Sequence, residues 1–80
     1  MSTADRVLTR LVEVAEAEEV RTNAELRLYD LHLLDSMKTV ELMVAFEEEF
    51  GLQISPAEFE PADWATPAKI VAYVEGRVQS

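Results

Sequence analysis

Cysteine is absent from this chain of 80 residues, so neither a disulfide nor a thiolate site is available. Histidine occurs once, as His32, which excludes a zinc site of the usual Cys/His kind. A catalytic triad cannot be assembled either. A nucleophilic serine needs a base within hydrogen-bond reach and a third group to orient it; the lone histidine reads instead as a partly exposed loop residue. No apolar run approaches the roughly 20 residues of a bilayer-spanning helix. The opening Met1-Ser2-Thr3-Ala4-Asp5 is unlike a basic-then-apolar signal peptide, so a cytoplasmic location is expected. Bases are scarce: 7 Lys and Arg stand against 16 Asp and Glu, for a formal charge of −9. That balance repels nucleic-acid phosphates and anionic membrane surfaces and favours partners with basic patches. It also serves plain solubility.

What the chain does have is apolar residues, 49% of the total, enough to build a core. Its length fits one domain, residues 1–80, that must rest on helix packing alone. A first helix is expected over 3–17, where Val7, Leu8, Leu11, Val12, Val14 and Ala15 recur at helical spacing. Ser2 and Asp5 make its capping signal, and Arg6, Arg10, Glu13 and Glu16 take the other side. From Val20 to Asp35 the rhythm fades. With Leu26, Leu28, Leu31, Leu33 and Leu34 in it, this stretch reads as a loop laid across the bundle. Such a long ordered connection needs a reason, and delivering Asp35-Ser36 to a defined place supplies one.

A second long helix is expected over 36–50, stopped by Gly51. Ser55, Pro56 and Glu58 signal a short one over 56–60 that Pro61 ends. The last runs over 66–78 behind Thr66 and Pro67, with Ile70, Val71, Val74 and Val78 as its buried stripe. The layout is all-α: three main helices and a short one. Trp64, between two prolines, reads either as a plug at the bundle end or as a contact for a partner.

The helix after Ser36 carries more apolar surface than a core requires. Leu42, Met43, Phe46 and Phe50 share one face, which suffices for packing. Met37, Val40 and Val44 fall on a neighbouring face edged by Glu41, Glu47 and Glu48. An apolar strip bordered by carboxylates reads as a docking surface for a basic partner. The competing reading is that the long loop covers Met37 and Val40 as ordinary core. Ser36 is likewise double-edged: an ordinary N-cap, or a hydroxyl at a helix mouth where a phosphate ester is well placed. Asp35 beside it can help hold a divalent metal during phosphoryl transfer.

The stretch Leu33-Leu34-Asp35-Ser36-Met37-Lys38-Thr39-Val40-Glu41-Leu42-Met43, continued by Phe46-Glu47-Glu48-Glu49-Phe50-Gly51, resembles the acyl carrier protein family. A narrower resemblance, to the D-alanyl carrier proteins of teichoic acid D-alanylation, rests on Glu58-Phe59-Glu60, Trp64 and Thr66-Pro67-Ala68-Lys69-Ile70. It spans about residues 26–74. The resemblance implies a four-helix bundle with a short third helix and a long first loop. It implies 4′-phosphopantetheine, received from coenzyme A, on Ser36, with Asp35 helping to ligate Mg²⁺ in the complex with the modifying synthase. Met37, Val40, Glu41, Val44, Glu47 and Glu48 would then form the recognition face. Implied partners are a phosphopantetheinyl transferase, an adenylate-forming D-alanine ligase and a downstream, membrane-bound acyltransferase. The chain itself would be a monomeric carrier holding no metal of its own, and not an enzyme. A fatty-acid, polyketide or non-ribosomal peptide carrier is the alternative; a binding module unrelated to phosphopantetheine is a third reading. Three positions depart from the family pattern: Lys38 and His32 stand where glycine is usual, and Ala68 where asparagine is.

Overall fold

Ser2 starts the first helix as the sequence suggests, its hydroxyl accepting the Asp5 N–H at 3.2 Å. In the computed structural model, which describes residues 2–78, this helix α1 spans Thr3–Ala15. It stops two residues short of the expected end. Glu16 turns into the left-handed region at φ 58 and returns its N–H to the Val12 carbonyl at 2.8 Å. Val7, Leu11 and Ala15 are its buried face. Arg6 and Arg10, expected on the outer side, reach across to Glu49 at 2.7 and 3.1 Å. The Arg6 guanidinium, through its hydrogen bond, holds the Glu49 carboxyl below the usual carboxylate range. Arg6 also lies 4.7 Å over the Phe50 ring.

The loop contains a turn of helix that periodicity could not reveal, α2 over Glu19–Thr22, pinned by the buried Val20. Four residues are too few to show a pattern. Beyond it the loop is stitched down by its backbone. Leu28 donates to the Ala65 carbonyl and receives the N–H groups of Leu33 and Leu34, while Ala68 donates to Ala24. Leu26, Leu28 and Leu34 are buried. Leu31 is not: it faces solvent, so the loop does not bury every leucine. His32 sits at φ 60, a conformation that suits glycine and costs other residues about 1–2 kcal/mol.

Helix α3 spans Ser36–Phe50, with the expected bounds, capped by Asp35 and ended by Gly51 at φ 68. Thr39, Leu42, Met43 and Phe46 are buried. The expected short helix over 56–60 is instead two 3₁₀ turns, Pro56–Glu58 and Pro61–Trp64, each begun by a proline. Helix α4 spans Pro67–Val78, and Thr66 Oγ1 accepts the Lys69 N–H at 3.3 Å. Its stripe is narrower than expected, for Val78 is exposed while Ile70 and Val74 are buried. The architecture is an all-α four-helix bundle in which the 3₁₀ turns between α3 and α4 stand as the short third helix and α2 is an added turn in the first loop; α1 packs against both α3 and α4. Trp64 closes it as a plug. The fully buried indole lies 5.9 Å from the Phe46 ring, 6.0 Å from Phe59 and 5.2 Å from Tyr73.

Candidate functional site

Asp35, not Ser36, caps α3. Its backbone is extended (φ −142, ψ −173), and its Oδ1 accepts the Lys38 N–H at 2.8 Å. The N-cap reading of Ser36 therefore falls. Ser36 is the first residue of the helix and exposed, and its hydroxyl has no hydrogen-bond partner among the described residues. The aligned dipoles of the 15-residue helix favour negative charge beside it. Asp35 is also exposed, and with Oδ1 engaged in the cap its second oxygen has no partner among the described residues.

The strip beyond Ser36 is open. Met37, Val40 and Val44 are 75, 50 and 47% exposed, so the first loop does not cover them. Glu41 and Glu48 are exposed as well. Glu47 behaves differently. Half-buried, it accepts the Ile54 N–H at 2.9 Å and so clasps the linker after α3 to the helix. Lys38 pairs with Glu16 at the end of α1, 3.8 Å away. Glu13, Val14, Glu16, Asp35, Met37, Lys38 and Glu41 surround one shallow hollow between the two helices. His32 is exposed, and no hydrogen bond joins its ring to Ser36 among the described residues. Those residues contain no cluster of three or more His, Asp or Glu side chains able to hold a metal ion. Among the described residues, no helix is long and apolar enough to cross a membrane.

Sequence reasoning missed the other side of the site. A cleft of about 410 Å³ opens at Ser36, lined by Tyr29, Thr39, Val40, Met43, Pro56, Phe59 and Pro61. Its polar groups are tied together. The Tyr29 and Thr39 hydroxyls lie 2.6 Å apart, and Thr39 Oγ1 donates to the Asp35 carbonyl at 2.7 Å. Burial, reinforced by the Asp35 charge, holds the Tyr29 hydroxyl above the usual phenol range. Thr39 on a helical wheel gives no hint of this, because its partner comes from a segment without periodicity.

Residues 5–74 match the family described as "Phosphopantetheine attachment site". The chain is 40% identical over 75 residues to the D-alanyl carrier protein of Listeria welshimeri, covering 94% of this chain and 96% of that one. It is 41% identical over 69 residues to the D-alanyl carrier protein of Lacticaseibacillus casei, covering 86% and 85%. The counterpart in Staphylococcus saprophyticus is 36% identical over 75 residues, covering 94% and 96%. With the bundle and the matched segment both in place, this chain belongs to the family of phosphopantetheine-dependent carrier proteins.

Proposed function

We propose that residues 1–80 form one carrier domain that receives 4′-phosphopantetheine on Ser36 and carries D-alanine on it toward teichoic acid. The observation that carries this reading is the Ser36 hydroxyl itself: exposed, without a partner among the described residues, at the mouth of a helix and next to a capping carboxylate. A phosphodiester fits there, since the helix dipole favours its charge and no described residue competes for the oxygen. In the loading step Ser36 Oγ forms a bond to the pantetheine-bearing phosphorus of coenzyme A. The pyrophosphate bond breaks, adenosine 3′,5′-bisphosphate leaves, and the serine proton passes to a base of the transferase. The second oxygen of Asp35, which the cap does not use, would help hold the Mg²⁺ that neutralises the phosphates. Once attached, the arm supplies a thiol that takes the cargo as a thioester.

The rest of the chain positions rather than reacts. Met37, Val40, Val44, Glu41 and Glu48 form a face on which basic partners dock by charge steering and small apolar contacts. The partners are a phosphopantetheinyl transferase, an ATP-dependent ligase that adenylates the amino acid, and an acyltransferase, with the carrier itself monomeric and cytoplasmic. Tethering keeps the cargo at high effective concentration for each of them. Glu47 is the weakest member of the recognition set, because its carboxylate already serves the linker.

D-alanine as the cargo rests on the D-alanyl carrier proteins among the relatives. One observation favours a second reading. The cleft of about 410 Å³ beside Ser36 is larger than so small a group requires, which suits an acyl carrier of another pathway. A panel of amino acids and short acyl groups separates the two. Given an ATP-dependent D-alanine ligase, the arm-bearing chain is expected to form the D-alanyl thioester in preference to L-alanine or glycine. Refusal of D-alanine together with acceptance of a longer acyl group from an acyltransferase would favour the second reading.

A further inference from the structure

The nine residues between Tyr29 and Thr39 contain both the loop tip and Asp35-Ser36, and a side-chain bond closes that segment into a ring. Its donor can be assigned from valence. Thr39 Oγ1 commits its single proton to the Asp35 carbonyl, which can only accept, so the Tyr29 phenol must donate to Thr39. Thr39 is buried and Tyr29 half-buried, so the bond is shielded from competing water. The Tyr29 ring is held in turn by an edge contact to Phe59 at 6.5 Å. On the loop side, Leu28 anchors the base of the same segment through Leu33, Leu34 and Ala65. Within the ring lies His32 in the left-handed region, a conformation that must be enforced by its surroundings.

From this we infer that Tyr29 is a positioning residue for arm transfer, clasping the first loop to α3 through Thr39 so that Asp35 and Ser36 are presented in one geometry. The inference rests on Ser36 as the attachment point. Most of the docking face lies apart from the clasp: Met37, Glu41 and Glu48 are exposed and take no part in the cleft lining, and of that face only Val40 borders the cleft beside Tyr29 and Thr39. Losing it therefore leaves partner binding intact and loosens the reacting hydroxyl. Misplacement of a reacting group by even about 1 Å can slow a reaction on the order of a hundredfold, and a loosened loop is a milder form of that defect.

The test is steady-state transfer of phosphopantetheine from coenzyme A, with KM for the carrier separated from kcat. The assay runs well below the melting temperature of each variant. Tyr29→Phe is expected to lower kcat by more than threefold while KM stays within twofold. Thr39→Val, which removes both hydroxyl bonds, should lose at least as much, and Thr39→Ser should recover most of that loss. A smaller effect on kcat in Tyr29→Phe, or a loss confined to KM, overturns the inference. Should Tyr29→Phe not fold, the Thr39→Val and Thr39→Ser pair decides alone: equal kcat in the two overturns it. Wild-type protein that accepts no arm would instead overturn the assignment of Ser36.

Discussion

Replacing Trp64 with alanine is expected to cost about 3–5 kcal/mol of folding stability, the usual range for emptying a buried aromatic site. The indole is fully buried and meets rings from three directions: Phe46 on α3, Phe59 between the 3₁₀ turns, and Tyr73 on α4. No other side chain joins those three segments through aromatic contacts among the described residues. A domain of this size has a total stability of roughly 5–15 kcal/mol, so the variant should sit near the edge of unfolding. Urea titration followed by circular dichroism measures the loss. In the wild type, Trp64 fluorescence should resist aqueous quenchers. A loss under about 1 kcal/mol, or a freely quenched signal, would mean that the ring does not hold the bundle together.

The second large effect is expected at the surface. Converting both Glu41 and Glu48 to lysine should lower kcat/KM for transfer to the chain on the order of tenfold at low salt, by slowing encounter with a basic partner. The gap should narrow as ionic strength rises, since screening weakens steering between exposed charges. Both residues are exposed on α3 next to the open strip of Met37, Val40 and Val44, so the fold should be unaffected. Glu47 makes an informative contrast. Because its carboxylate accepts the Ile54 N–H, Glu47→Lys should register mainly as a lower melting temperature. Unchanged transfer kinetics in folded Glu41→Lys, Glu48→Lys protein would remove the acids from the docking surface.

Helix α3 starts where the sequence suggests, but Asp35 takes the capping place that Ser36 offered. The end of α3 could be read to the residue, because Gly51 takes a positive φ without strain. The end of α1 could not, since its stop is a glutamate forced into the left-handed region, which no propensity announces. The two 3₁₀ turns were half legible: Pro56 marked the first start, but Pro61 read as a stop when it opens the second turn, whose place depends on how Phe59 and Trp64 pack. Of the candidate site, the apolar strip follows from spacing along α3, whereas Ser36 and the capping Asp35 were singled out by the resemblance, since an Asp-Ser pair by itself reads equally as an ordinary helix start. Glu47 shares that helix, yet a linker amide reached through the fold takes its carboxylate. Tyr29 and Thr39 were invisible for the same reason, because they meet only after a non-periodic loop folds back. His32 stood between these cases. The resemblance marks its position as one where glycine is usual, and the left-handed backbone there supplies the physical reason.

All of the functional reading passes through one oxygen atom, the exposed Oγ of Ser36, which has no partner among the described residues. Intact-protein mass spectrometry after incubation with coenzyme A, Mg²⁺ and a broad-range phosphopantetheinyl transferase interrogates it without any knowledge of the cargo. The wild-type chain should gain the mass of a single phosphopantetheine, and Ser36→Ala should gain nothing. An unmodified wild type under conditions that load another carrier, or a Ser36→Ala chain that still takes the arm, would contradict the assignment.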